Sequence, residues 1–135
     1  MEGAKLISAL RYENPDIAID WLCNVLHFQE HVIYRDDEGQ VIHAQLVFEN
    51  AMIMLGPVSD TPYGKLVRLP SQVNGINTQS VYMVVKNVRK YYDHAVQMEA
   101  KIELPFQEQD HGGAAFTCRD PGGHLWNIGD YDPWK

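Results

Sequence analysis

Two segments of the chain carry apolar residues at the spacing of an amphipathic helix. The first begins at Asn14-Pro15, where an asparagine suits the N-cap and a proline the first helical position. The second runs from about Val88 to Met98, with Asn87 as its expected cap. The apolar stripes, both predicted to face a core, are Ile17, Trp21, Leu22, Val25 and Leu26, then Val88, Tyr91, Tyr92, Ala95 and Met98.

Segments rich in β-branched and aromatic residues flank these helices and predict strands. The predicted strands are residues 5–12, 32–35, 41–49, 51–56, 79–86, 114–119 and 124–130. Gly39 lies in the turn that joins the second and third of these strands, and Asp120-Pro121-Gly122-Gly123 separates the last two. Residues 57–76 show no clear period, which is typical of a linker that could also cover a site.

The most informative pattern is an internal repeat. An offset of 73 residues places Asn14 on Asn87 and, without a gap, Gly39 on Gly112 and Gly56 on Gly129. A chain that repeats β-α-β-β-β once is expected to hold a ligand cleft between or within its curled sheets. We predict one α+β domain over residues 1–135, with βαβββ modules at 4–56 and 77–130 and a linker at 57–76. The modules are expected in a pseudo-twofold arrangement that forms a curled mixed sheet around a cleft.

Composition narrows the possible partners. The 135 residues are 45% hydrophobic and 21% charged, as in an ordinary globular domain. The net charge of −7 argues against nucleic acid, whose phosphates are bound by basic surfaces. We expect no membrane contact and a cytoplasmic location, because neither a membrane-spanning stretch nor a signal-peptide pattern occurs. Cys23 and Cys118 have no ligand spacing and are expected to be reduced thiols.

Several stretches resemble the vicinal oxygen chelate superfamily, which includes glyoxalase I, bleomycin-resistance proteins and extradiol dioxygenases. They are residues 11–15 with 18–22, residues 42–46, residues 52–56 and, most distinctive, residues 119–131 with their Asp-Pro-Gly-Gly turn. The ending His124-Leu125-Trp126 is similar to the glyoxalase and bleomycin-resistance branch. The resemblance implies paired βαβββ modules and a homodimer whose clefts are completed by both chains.

The resemblance also implies where a metal would be held. Metal enzymes of the superfamily place His or Glu ligands on equivalent strands of the two halves, and the matching positions here are Ile7, Met54, Ser80 and Asn127. The repeat supports this mapping, because its offset carries Ile7 onto Ser80 and Met54 onto Asn127. An alkyl chain, a thioether, a hydroxyl and an amide are a poor ligand set for hard divalent ions. We therefore expect no metal and no other cofactor.

Strand alternation predicts the lining of the cleft. The ligand-binding candidates are His43, Gln45, Met52, Met54, Ser80, Tyr82, Phe116, Cys118 and Asn127. This lining is apolar and aromatic with a few hydrogen-bonding groups, as is usual for a small-molecule site. Arg11 is the one cleft candidate with a permanent charge; it could hold an anion or pair with an acidic neighbour such as Glu13. Cys118 beside Arg119 is a weak indication of a lowered thiol pKa.

The histidines give the main alternative. His43 is the candidate for an acid–base residue, although a structural hydrogen-bonding role remains open. His124 is expected to pack or hydrogen-bond, while His27, His31, His94 and His111 are expected to be solvated.

Two functions from different classes therefore stand side by side, with a degenerate interaction domain as a third. The first is a metal-free module that binds a small molecule, cationic or planar aromatic, and sequesters it. The second is a lyase or dioxygenase-type enzyme that uses a displaced metal or His43 as acid or base.

Overall fold

The computed structural model describes residues 2–110 and 112–135 and contains two helices and eight strands. In chain order these are β1 Ser8–Tyr12, α1 Pro15–Leu26, β2 Gln29–Arg35, β3 Val41–Phe48, β4 Ala51–Pro57, β5 Val81–Val84, α2 Val88–Gln97, β6 Lys101–Glu108, β7 Ala114–Arg119 and β8 Leu125–Gly129. Short 3-10 helices, Gly64–Leu66 and Pro70–Val73, lie in the linker. Within the described residues, no helix is both long and apolar enough to span a membrane.

The strands form two mixed sheets of identical topology. The first sheet has the order β1-β4-β3-β2 and the second β5-β8-β7-β6. In each sheet the first and last strands of the module run parallel and the remaining pairs are antiparallel. The α+β class and the two βαβββ modules are confirmed, and the eight strands lie in two open four-stranded sheets.

Local sequence signals explain the corresponding elements of the two modules. Asn14 Oδ1 accepts a hydrogen bond from the Ile17 amide at 3.3 Å, and Asn87 Oδ1 accepts one from the Lys90 amide at 3.1 Å. Each asparagine therefore satisfies an amide that the first helical turn leaves unpaired. Gly39 adopts the positive φ angle that the predicted hairpin turn requires.

Strand β6 is the element that sequence patterns did not indicate. It contains Pro105, and its pairing with β7 is interrupted by register shifts on both sides of Leu104. A proline cannot donate to a strand ladder, and such residues occur at edges or bulges. β6 is an edge strand, so this irregularity is tolerated.

One hydrophobic core joins the two modules. The helices pack against the inner faces of their own sheets, and Phe28 after α1 meets Trp126 of β8 with ring centroids 5.7 Å apart. The core residues of both modules form a single cluster. We call the helix-covered face of each sheet its core face and the opposite face its open face.

Asp120 is the main polar link inside this core. Its Oδ2 accepts hydrogen bonds from the Tyr12 hydroxyl at 2.5 Å and from Trp126 Nε1 at 2.9 Å, while its Oδ1 accepts the amides of Gly122 and His124. Burial, followed by the Asp120 charge and hydrogen bond, raises the Tyr12 pKa well above its ordinary value. Since Tyr12 belongs to the first module and Asp120 to the second, this contact fixes one module against the other.

Candidate functional site

The open face of the first sheet has a central row made of Ala9, Met54 and Gln45. Ala9 lies beside Met54 in the parallel β1–β4 pair, and Gln45 lies opposite Met54 in the antiparallel β3–β4 pair. Side chains two residues apart share a face, so His43 and Met52 lie there as well. The structure thus brings the four candidates of the first module onto one face, where all are half-buried.

His43 forms an aromatic platform at one end of this face. Its ring stacks on Tyr34 of β2, with centroids 6.0 Å apart and planes at 30°, and Tyr34 is 53% exposed. The His43 Nε2 atom lies 3.1 Å from Gln45 Nε2. An amide nitrogen can only donate, so in this orientation His43 Nε2 accepts and the neutral ring carries its proton on Nδ1.

The equivalent row of the second sheet consists of Tyr82, Asn127 and Thr117. Its polar side chains are engaged in hydrogen bonds within the protein. Thr117 Oγ1 donates to Asn127 Oδ1 at 2.8 Å, and Asn127 Nδ2 donates to the Val81 carbonyl at 3.2 Å. The Tyr82 hydroxyl donates to the carbonyl of Tyr131 at 2.7 Å. The polar groups of this row therefore bind other parts of the chain.

Phe116 and Cys118 are not on the open face, so their predicted place in the cleft is wrong. Both are buried in the core, and Phe116 meets Tyr92 of α2 edge-on at 5.2 Å. The open-face position next to Asn127 belongs to Thr117. Burial, with a smaller effect of Asp120, raises the Cys118 pKa to about 12, so the suggested lowering of the thiol pKa is also wrong.

Phe116 and Cys118 are predicted on the wrong face because the offset of 73 residues does not hold along the whole repeat. Met54 matches Asn127 at an offset of 73, but their partners Gln45 and Thr117 match at 72. The pairing of β2 with β3 has a register shift between Tyr34 and Arg35, which changes the offset from 73 to 72. The turn between β7 and β8 is longer than the turn between β3 and β4, which restores the offset of 73. A slip of one residue turns every side chain of a strand to the other face.

Ile7, Met54, Ser80 and Asn127, the positions that the resemblance matches to metal ligands, offer a poor set of donors. Ile7 has no donor, Met54 offers a thioether, Ser80 is exposed and Asn127 has its amide oxygen engaged by Thr117. Carboxylates bind hard divalent ions and imidazoles bind borderline ions such as zinc, and these four side chains supply neither group. Among the described residues, no group of three or more His, Cys, Asp or Glu side chains is placed to hold a metal ion.

Arg11 binds the start of the linker and does not pair with Glu13. Its Nη1 donates to the Pro57 carbonyl at 2.9 Å and to Ser59 Oγ at 3.1 Å, and its guanidinium lies 5.4 Å from the centre of the Tyr63 ring. The pairing with Glu13 is therefore wrong, because the guanidinium holds the start of the linker instead.

Arg119 holds the far end of the linker. Its Nη1 donates to the Gly75 and Gly123 carbonyls at 2.8 Å each, and its Nε donates to Glu103 Oε1 at 2.9 Å. The hydrogen bond from Arg119 holds the Glu103 pKa below its ordinary value. A cavity of about 820 Å³ beside this group is lined by mixed polar residues, among them Glu13, Asn74 and Lys101.

A second cavity, the seam pocket, lies between the edge strands β1 and β5 beneath the linker. Its volume is about 720 Å³. Ile7 and Ser80 line it, so two of the four positions equivalent to metal ligands border this pocket. Its apolar lining includes Leu6, Ile7, Leu66, Val73, Ile76 and Leu125.

The other histidines are structural or exposed. His124 Nε2 donates to the Arg11 carbonyl at 2.9 Å, which confirms its predicted hydrogen-bonding role. His94 is not simply solvated as expected, because it stacks on His27 at 4.7 Å and its Nε2 donates to the Asn24 carbonyl at 2.7 Å. His31 is exposed, and His111 lies outside the described residues.

Sequence patterns missed three participants in these surfaces. Tyr34 was assigned to a strand but not to the site, because its contact with His43 depends on strand pairing. Thr117 is missed because β3 and β7 match at an offset of 72 and not 73. The linker residues of the seam pocket carry no periodic signal, although a run of exposed apolar residues in a linker could have drawn attention to them.

Comparison with known proteins supports the same fold. The family model described as Glyoxalase/Bleomycin resistance protein/Dioxygenase superfamily matches residues 7–128. No curated protein sequence matches the chain significantly.

Solved structures similar to this chain span nearly its whole length. TioX from Micromonospora sp. ML1 has a TM-score of 0.72 at 25% identity and covers 94% of this chain and 98% of its own. Lactoylglutathione lyase from Agrobacterium tumefaciens has a TM-score of 0.63 at 18% identity and covers 93% and 92%. Fosfomycin resistance protein FosX from Listeria monocytogenes, complexed with Mn(II) and sulfate, has a TM-score of 0.67 at 10% identity and covers 99% and 96%.

Proposed function

Because the chain belongs to the Glyoxalase/Bleomycin resistance protein/Dioxygenase superfamily, we propose that it is a metal-independent, cytoplasmic small-molecule-binding protein. Its ligand lies on the open face of the first sheet, across Met54. The observation that carries this proposal is the side chain at the centre of that face, a thioether flanked by Ala9 and Gln45 where the metal enzymes have a ligand. The free thiols of Cys23 and Cys118 support a reducing compartment.

The chemistry of the face favours a planar, amphipathic ligand. Met52 and Met54 are flexible thioethers that adapt to different shapes and make favourable contacts with aromatic rings. The Tyr34–His43 stack offers a flat surface at one end, and Gln45 adds a hydrogen-bonding group beside it. The net charge of −7 favours a ligand that carries a positive charge.

The contact between His43 and Gln45 argues against the alternative in which His43 is a general base. The Nε2 lone pair accepts the Gln45 amide at 3.1 Å, so a substrate proton would have to compete with that hydrogen bond. A displaced metal has no support in the donor groups of the described residues. We therefore place His43 in the binding surface.

The proposal includes a homodimer. Leu104 on β6 stays 62% exposed, and a second chain would cover such an apolar side chain. Sedimentation velocity of the wild-type protein should give a dimer, and Leu104→Lys should weaken it. Val96→Lys, an exposed position on α2, is the matched control that should leave it intact. A monomer at all accessible concentrations would contradict the dimer and leave the ligand site testable by itself.

A thermal-shift screen of cationic aromatic compounds, with ethidium as the reference probe, tests the binding function. A ligand that binds only the folded state raises the melting temperature by mass action. Met54→Ala should weaken ethidium binding about tenfold, equivalent to about 1.4 kcal/mol. Met98→Ala, which removes an exposed methionine of the second module, should leave it unchanged. A screen without any stabilising compound would overturn the proposal, as would stoichiometric zinc, nickel, manganese or iron in the purified protein.

A further inference from the structure

The linker carries more exposed apolar surface than a simple connection between modules needs. Leu66 and Ile76 are 79% and 64% exposed, and Tyr63 is 55% exposed. Leu6, which faces them across the seam pocket, is 95% exposed. Exposed apolar side chains that are grouped around one cavity mark a binding surface more often than scattered ones do.

The linker is also held in place as a wall of the seam pocket. Arg11 of the first module fixes its start through the carbonyl of Pro57, and Arg119 of the second module fixes its end through the carbonyl of Gly75. Asn77 adds two bonds to the second module, from its Nδ2 to the Gly123 carbonyl at 3.1 Å and from the Leu125 amide to its Oδ1 at 3.0 Å. The cavity is therefore bounded on the linker side by anchored chain.

The charge in the pocket is of one sign. Among the described lining residues, Arg68 is the only Lys, Arg, Asp or Glu. Its Nη1 donates to the carbonyls of Val67 and Lys65, and a guanidinium has five N–H donors, so it can also bind a carboxylate. The neutral polar groups of Thr78, Gln79 and Ser80 lie in the same lining.

We propose that the seam pocket binds a free amphiphile with an alkyl chain and a carboxylate head group. The alkyl chain of the ligand lies against Leu6, Leu66 and Ile76, and its carboxylate pairs with Arg68. The volume of about 720 Å³ is within the usual range of small-molecule sites, roughly 300–1,000 Å³. This site has its own wall and its own charge, and it shares only Ala9 with the open-face residues of the first sheet.

Isothermal titration with sodium laurate, kept below its micelle concentration, tests this site. Laurate should bind at least tenfold more tightly than dodecyltrimethylammonium, whose alkyl chain is one carbon longer and whose head group has the opposite charge. Arg68→Gln should remove that preference, whereas Arg89→Gln, an exposed arginine on α2, should preserve it. Leu66→Ser should weaken both amphiphiles about tenfold, and Val96→Ser should weaken neither.

Four results would overturn the proposal. Equal affinity for the two amphiphiles would contradict a carboxylate site at Arg68, and so would the absence of binding by either. Association with phosphatidylglycerol vesicles without binding of free laurate would identify a lipid surface instead. Dissociation of a wild-type dimer by Leu66→Ser, with laurate binding unchanged, would show that a second copy covers the seam. Met54→Ala should leave laurate binding intact, so failure at the open face can be distinguished from failure here.

Discussion

The two sheets have the same topology, but the side chains on their open faces differ in chemistry. In the first sheet the central residue, Met54, has an adaptable thioether next to Ala9 and Gln45. In the second sheet the matching residue, Asn127, is bonded to Thr117 and to the strand beside it. Equivalent backbone positions thus give one surface that can accept a ligand and one whose polar groups are already occupied. A repeated module therefore does not imply a repeated site.

The largest expected effect comes from breaking the contact that holds the two sheets to one core. Asp120→Asn replaces an acceptor of four hydrogen bonds by an amide that presents N–H groups to donors. We expect a loss of about 3 kcal/mol in the free energy of unfolding, measured by urea denaturation. Asp37→Asn, at an exposed turn position, should change it by less than about 0.5 kcal/mol. A loss for Asp120→Asn as small as that of the control would contradict the role of this contact.

Exchanging the two central residues tests the difference between the sheets directly. Asn127→Met leaves the Thr117 hydroxyl and the Val81 carbonyl without their partner and should cost about 2 kcal/mol of unfolding free energy. The reciprocal Met54→Asn, at a half-buried position without such bonds, should cost less than about 1 kcal/mol. Urea denaturation of both variants measures the asymmetry, and equal costs would show that the two rows are alike.

A metal graft tests the mapping between the sheets. Met54→Glu/Ser80→His/Asn127→Glu should raise Mn(II) affinity at least about tenfold in calorimetry, because it supplies two carboxylates and an imidazole at the equivalent positions. The matched control carries Glu at Met52 instead of Met54, two residues along the same face of β4, and should gain less. Equal gains in the two triple variants would mean that the register assignment does not describe a site.

The smallest effect concerns the thiols. Burial raises the pKa of Cys118 to about 12, and burial, together with Glu30 and Asp20, also raises the pKa of the half-buried Cys23. Dithionitrobenzoate at pH 8 should modify Cys23 slowly and Cys118 only on unfolding. A folded pKa above the ordinary value means that the Cys118 contribution to stability is complete below about pH 9 and is lost as the pH rises toward about 12. Two thiols reacting at one rate in the native protein would contradict this burial.

Sequence alone was sufficient for features with a local cause. The caps at Asn14 and Asn87 and the turn at Gly39 depend on neighbouring residues, and all were found. The four open-face residues of β3 and β4 followed from alternation along regular strands. These features needed no knowledge of which strands pair.

Features that depend on distant partners could not be predicted in the same way. The caps and glycines of the two modules match at an offset of 73, which places Phe116 and Cys118 on the open face. A register shift in the β2–β3 pair and a longer turn before β8 make the offset 72 between β3 and β7, so both residues lie on the core face instead. Arg11 found its partners in a linker without periodicity. β6 was missed because Pro105 and its bulges break the alternation that marks a strand.

We propose that the open face of the first sheet binds its ligand without a metal. The direct test is a fluorescence titration of metal-stripped protein with ethidium, performed with and without EDTA and repeated with Met54→Ala. We expect the same dissociation constant, within about twofold, in both buffers, and about tenfold weaker binding by Met54→Ala. Binding that disappears in EDTA and returns with Mn(II) or Zn(II) would contradict the account.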